Sequence, residues 1–172
     1  MEFDKEKNDD KDYVLSMVKK QGSLLDLVSE RLKDDKEVVM AALEQDGNAL
    51  EFAGPKMKND KEVVLKSIKK VGWTACYVSK KLSDDKEVIL DAVKINGQEL
   101  YYASERLRDD RDVVLAAVTN KGLILKYASK RLRADKEIAL AAVKSDKRAL
   151  EYISDEDIKK QVEEELSKED KE

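Results

Sequence analysis

The sequence predicts an all-α fold: a right-handed or curved α-solenoid of about six 25-residue helix-turn-helix repeats with a C-terminal capping helix. Three observations predict it. Residues 34–43, DDKEVVMAAL, recur with small changes as 59–68, 84–93, 109–118 and 134–143, with a more worn form at 9–18. A column of aspartates (Asp10, Asp35, Asp60, Asp85, Asp110, Asp135) and one of glycines (Gly22, Gly47, Gly72, Gly97, Gly122) advance in steps of 25. Inside a repeat, apolar residues stand at i, i+1, i+4 and i+5, as Val88, Ile89, Ala92 and Val93 do. That spacing makes one face of a helix, because a strand would send neighbours to opposite faces.

In chain order, residues 1–8 are too short to be more than a flexible lead, and 9–154 hold six tandem repeats in a single solenoid domain. The first helix of each repeat starts at an acidic pair. Asp84 with Glu87 has capping-box spacing, while Asp85 could cap instead; Ala134 leaves that task to Asp135 in the sixth repeat. Gly97 supplies the stop, since a residue without Cβ enters the left-handed conformation that closes a helix. A second, shorter helix comes next, with Leu100, Ala103 and Leu107 on one apolar face and Tyr102 as their partner. Gly54-Pro55 interrupts the second repeat where others carry Ser79-Lys80 or Ser104-Glu105, so this helix ends near the serine column and a separate tight turn completes the repeat. Ile158, Val162 and Leu166 form a narrow apolar stripe on a charged segment, read as a capping helix over 155–168, with 169–172 frayed.

One such repeat cannot stand alone. A helix of about 11 residues is marginal in water, so apolar faces front and back require neighbours that bury them.

Charged residues are 42% of the chain, yet 38 acidic against 34 basic leave a formal net charge of -4. That balance argues against a general polyanion binder. An apolar fraction of 41% excludes the low-hydrophobicity regime of disorder. One cysteine excludes an intramolecular disulfide and suits a reducing compartment. No apolar run reaches the ~18 residues of a membrane span, and the opening MEFDKEKNDD has no signal h-region. The expected location is therefore cytoplasmic.

The combined pattern DKEVVLxAV, NG, LxYAS and RL, as in residues 85–93, Asn96-Gly97, residues 100–104 and Arg106-Leu107, resembles a helical repeat family classed as a domain of unknown function. Its copies occur in tandem in bacterial proteins, including effectors of intracellular pathogens, and in protists and large DNA viruses. The resemblance covers roughly residues 9–154 and implies a helical interaction module. Some members resemble protein antagonists of ubiquitin-modifying effector enzymes, which implies an effector, delivered into a host cytosol, or a regulator of one. The family has no agreed catalytic residues to carry over. Asp146-Lys147 departs from its NG turn.

Catalysis finds little support in the residues. The absence of histidine removes Ser-His-Asp and Cys-His nucleophilic systems and His-containing zinc sites, and the glycines lie too far apart for a phosphate loop. Cys76 has no histidine base, and its column holds Asp26, Glu51, Tyr101, Lys126 and Glu151, which places it at the surface. The acidic pairs read as periodic helix caps rather than paired catalytic carboxylates or a cation site. No enzyme activity, metal or cofactor is expected. Function is sought instead where one repeat departs from the others in an outward column. Val71, Trp73, Ile95, Tyr101 and Leu123 are such apolar departures, gathered at the helix corners of the third to fifth repeats. They are expected either to form a patch for another protein, or for self-association, with the aromatics as anchors, or to fill gaps between repeats. A basic ridge of Lys80, Lys81, Arg106, Arg108, Arg131 and Arg133 is the alternative surface. It could track an RNA backbone, but interleaved carboxylates largely neutralise it. A structural repeat with no specific partner is the remaining reading.

Overall fold

The computed structural model describes residues 3–72 and 75–169. The chain forms two compact units, Met1–Ser83 and Asp84–Glu172, where the repeat pattern had suggested one continuous domain. Both are all-α, and the described residues contain no strand. The α-helices are α1 (Lys11–Val18), α2 (Glu30–Lys33), α3 (Lys36–Gln45), α4 (Pro55–Lys58) and α5 (Lys61–Val71) in the first unit. The second holds α6 (Lys86–Ile95), α7 (Glu105–Arg108), α8 (Arg111–Asn120), α9 (Lys130–Arg133), α10 (Lys136–Ser145) and α11 (Glu156–Glu169).

The long helices start one residue after the acidic pair because its second member is the cap. The Asp85 carboxylate accepts the N–H groups of Glu87 (3.0 Å) and Val88 (3.2 Å), and Asp35, Asp60 and Asp110 do the same in their own repeats. This resolves the choice between Asp84 and Asp85. Glu87 then stands at the second helical position, so the capping-box spacing counted from Asp84 is not the starting device.

The glycine column does different work from the one its position suggests. Only Gly72 has a left-handed backbone, at φ 72°. Elsewhere the missing Cβ permits close approach to the next repeat. A Cβ on Gly22 would lie 2.5 Å from the Ala42 carbonyl oxygen, and one on Gly97 or Gly122 would collide with the carbonyl of Ala117 or Ala142. Three of these glycines donate their N–H across the same gap: Gly22 to Gln45 Oε1 (2.8 Å), Gly97 to Asn120 Oδ1 (2.8 Å) and Gly122 to Ser145 Oγ (3.1 Å). Lys147 replaces glycine in the sixth repeat, where α11 comes next in place of another 25-residue copy.

The glycine opens a six-residue 3-10 helix, seen at Gly22–Leu27, Gly47–Phe52, Gly97–Tyr102 and Gly122–Tyr127, and at Lys147–Tyr152 in the last repeat. An extended residue ends it (Ala103, ψ 152°). The segment expected as a tight turn is instead a four-residue α-helix with its own serine cap: Ser104 Oγ accepts the Leu107 N–H at 3.2 Å. Each regular repeat thus has three helices. The 3-10 period of three seats Gly97, Leu100 and Ala103 on one sealed edge and puts Tyr101 and Tyr102 on the other two.

Within the units the long helices pack in order, α3 against α1 and α5, and α8 against α6 and α10, with successive 3-10 helices stacked beside them. Val88, Ile89, Ala92, Val93 and their equivalents in α3, α8 and α10 are fully buried. The third repeat is irregular: Gly72 is left-handed, and a 3-10 helix, Leu82–Asp84, replaces the four-residue α-helix. The boundary between the two units falls there.

The two ends are ordered differently. The lead, expected to be flexible, forms a 3-10 turn at Lys5–Lys7 that Asp4 caps, because Phe3 is buried against the Tyr13 ring and the Asp4 N–H donates to the Tyr13 hydroxyl at 2.7 Å. At the other end α11 packs on α10 and continues through Glu169, with Val162 fully buried and Ile158 and Leu166 half-buried. Residues 170–172 of the tail expected to fray lie outside the described residues.

Candidate functional site

Many charged side chains link elements within a repeat or between neighbouring repeats. The residue before the capping aspartate accepts from the serine 20 residues on in the same repeat: Ser29 to Asp9 at 2.5 Å, Ser79 to Asn59 at 2.7 Å, Ser104 to Asp84 and Ser129 to Asp109. Arginines reinforce the link. Arg106 Nε donates to Asp84 Oδ1 at 3.0 Å, and Arg131 Nε to Asp109 Oδ1 at 3.1 Å. The Ser104 hydroxyl, and then Arg106, hold the Asp84 carboxyl below the ordinary carboxylate value; Ser129 and Arg131 do so for Asp109. In the second repeat Gly54 replaces the serine, and Asp34 itself caps α4 by accepting the Lys56 N–H at 2.9 Å.

A second ladder runs along the starts of the long helices. Lys11 bridges Asp35 (2.9 Å) and Glu37 (2.8 Å), Lys36 bridges Asp60 and Glu62, Lys86 bridges Asp110 and Asp112, and Arg111 pairs with Asp135 and Glu137. Lys136 meets Glu165 of α11 at 2.8 Å, so the terminal helix supplies the carboxylate that a further repeat would have brought. Of the basic ridge, Arg106 and Arg131 are therefore tied to carboxylates. Lys80 and Lys81 are exposed in the first unit. Arg133 Nη1 reaches the Tyr152 carbonyl at 3.5 Å. Arg108 makes no side-chain hydrogen bond or ion pair among the described residues, and its Nε is enclosed without a partner.

The apolar departures fall in several places. Trp73 lies outside the described residues. Val71 ends α5 in the first unit, half-buried, with Cγ1 beside Gly47. Ile95 ends α6 at 49% exposure, and Leu123 is half-buried at the start of a 3-10 helix. Tyr101 is 50% exposed and belongs to an aromatic cluster. Its ring stands edge-on to Tyr102 (5.0 Å between centroids) and to Tyr127 of the next repeat (4.9 Å). Lys126 Nζ lies 4.9 Å from the Tyr127 ring centre. Beside Tyr127 a shallow groove is lined by Glu105, Arg108, Ala128 and Ser129.

Sequence reasoning placed Tyr102 with the apolar face of a helix and so missed it as a surface residue; it is 40% exposed, while its equivalent Tyr127 is half-buried. A signal was present in their column, Leu27, Phe52, Tyr77, Tyr102, Tyr127 and Tyr152, which is large and mostly aromatic in every repeat. Another groove lies between α6 and α8, lined by Leu90, Leu115, Ala116 and Thr119 with Lys94 and Asn120. Its leucines also belong to a column that sequence reasoning passed over: Leu15, Met40, Leu65, Leu90, Leu115 and Leu140, all half-exposed. Cys76 is exposed. Among the described residues no cluster of His, Cys, Asp and Glu could hold a metal ion, and no helix is long and apolar enough to cross a membrane.

The family model for a domain of unknown function (DUF4116) matches residues 10–58, 60–108, 85–133 and 110–159. Each matched stretch spans two successive repeats. No curated protein and no solved structure matches the chain.

Proposed function

We propose that this chain, which belongs to the family defined by a domain of unknown function (DUF4116), is a non-enzymatic helical-repeat module that binds another protein in the cytosol, as an effector or as a regulator of one. The observation that carries the reading is the exposed ring of Tyr101, held edge-on between Tyr102 and Tyr127. A large aromatic already fixed by its neighbours offers contact area at little further entropic cost, which is what an interface anchor requires. The basic ridge is a weaker candidate for RNA, because Arg106 and Arg131 spend their charge on Asp84 and Asp109.

Site-specific photocrosslinking tests this. A benzophenone side chain would replace Tyr101, Thr119 or Lys20 in turn, with folding checked by circular dichroism, and each chain would be irradiated in lysate of the cells that make it. A discrete protein adduct at position 101, absent at Lys20 on the first unit, is the expected result. An adduct at position 119 alone would move the surface to the groove between α6 and α8; equal labelling everywhere, or none, would remove the proposed function.

A further inference from the structure

We infer that the partner engages the Tyr101 surface through an extended acidic segment, whose carboxylate seats on Arg108 in the groove beside Tyr127. The inference rests on the protein-binding reading and adds the chemistry of the partner. Its ground is a contrast in how cations are used. Lys11, Lys36, Lys86, Arg106, Arg111, Arg131 and Lys136 all meet carboxylates of a neighbouring element. Arg108 in the groove, and Lys126 over the Tyr127 ring beside it, form no ion pair among the described residues. Arg133 occupies the column of Arg108 one repeat on, and the Nε of both is enclosed without a partner; Arg133 Nη1 reaches the Tyr152 carbonyl at 3.5 Å, whereas the half-exposed Arg108 makes no side-chain hydrogen bond among the described residues. A guanidinium with free donors at the mouth of an aromatic groove is suited to a planar carboxylate.

The rings supply the second half of the match. Tyr127 lines the groove and touches Tyr101, so a segment leaving Arg108 passes directly onto exposed aromatic surface. Glu105 lines the same groove. A nucleic-acid strand, with a phosphate at every step, would set negative charge against Glu105. A polypeptide can space its carboxylates to meet Arg108 and Lys126 and place apolar side chains over the tyrosines between them.

The test is selection of a phage-displayed library of random twelve-residue peptides on the full immobilised chain. Enriched peptides are then titrated by fluorescence polarisation against the wild type, Arg108→Met, Lys126→Gln, Tyr101→Ser and the first-unit control Lys20→Met. Enrichment in Asp and Glu interspersed with apolar residues is expected. Affinity should fall about tenfold in Arg108→Met, as for loss of one charge-assisted contact, several-fold in Lys126→Gln, and stay unchanged in Lys20→Met. Lys126 is exposed, so its variant tests the idea even if Arg108→Met fails to fold. Neutral or basic peptides lost in Tyr101→Ser would sink the acidic segment and leave protein binding standing. Acidic peptides indifferent to both cation variants would remove the groove. No enrichment overturns the inference, and overturns protein binding as well only if the Tyr101 crosslink is also absent. Displacement of the peptide by an equal concentration of a twelve-nucleotide oligouridine would reassign the surface to single-stranded nucleic acid.

Discussion

At Gly97 the chain has no room for a single carbon, since an added Cβ would collide with the Ala117 carbonyl of the next repeat. That carbonyl belongs to helix backbone and cannot swing aside as a side chain would. Gly97→Ala should therefore cost about 1–3 kcal/mol, the usual range for overpacking, read as a lower urea midpoint with an unchanged slope. The sequence shows glycine at five successive steps of 25 residues, yet it invites a reason from backbone conformation. The actual reason is a clash with an atom 20 residues away, and only packing reveals it. The aspartates were more legible, because a cap is local chemistry: an oxygen within reach of two N–H groups just ahead of it.

Each long helix owes its start to one carboxylate, and the same carboxylate ties it to the repeat before. Asp110→Ala should cost about 1 kcal/mol through the cap alone. The pH dependence comes from the same groups. Burial works against the charge of Asp35, Asp60 and Asp110, but hydrogen bonds from Lys11, Lys36 and Lys86 and from the helix N–H groups outweigh it, so each carboxyl is held below its ordinary value. A group with a lowered folded value contributes stability above its unfolded pKa of about 3.9 and loses it as pH falls through the folded value. The lysines mirror this. Lys11, Lys36 and Lys86 are raised, chiefly by hydrogen bonds to Glu37, Glu62 and Asp112. Their contribution is complete below about pH 10.4 and disappears as pH climbs through the raised values. A thermal-melt series should thus show a plateau between about pH 5 and 9 that declines on both sides. Lys86→Met should make both declines shallower; unchanged limbs would mean that the Lys86 rung contributes nothing. The helix's amphipathic face was readable from spacing. The 3-10 form of the next element was not, because six residues are too few for a period of 3.0 to be told from 3.6.

At the scale of the molecule, the two compact units part at the irregular third repeat. The second ends under α11, whose fully buried contact is Val162. Val162→Asp would place a carboxylate in that apolar seat at a cost of about 3 kcal/mol or more. Hydrogen exchange should then show protection lost in α10 and α11 while residues of Met1–Ser83 keep theirs. Uniform loss across both units would mean that the chain unfolds as one. The capping role of α11 was visible as an apolar stripe on a charged segment. Its use of Glu165 to receive Lys136 was not, since nothing in the 25-residue register points to that position.

By itself the sequence determined the period, the helical class, the acidic pairs that cap and the buried face of the long helices, because each is set by residues within one turn or by exact repetition. The tertiary structure decided why the glycines are there, which cations are spent and which remain, and that Tyr101, Tyr102 and Tyr127 share one exposed cluster. Those outcomes depend on distances between repeats. A periodic sequence repeats its letters without saying how closely successive copies approach.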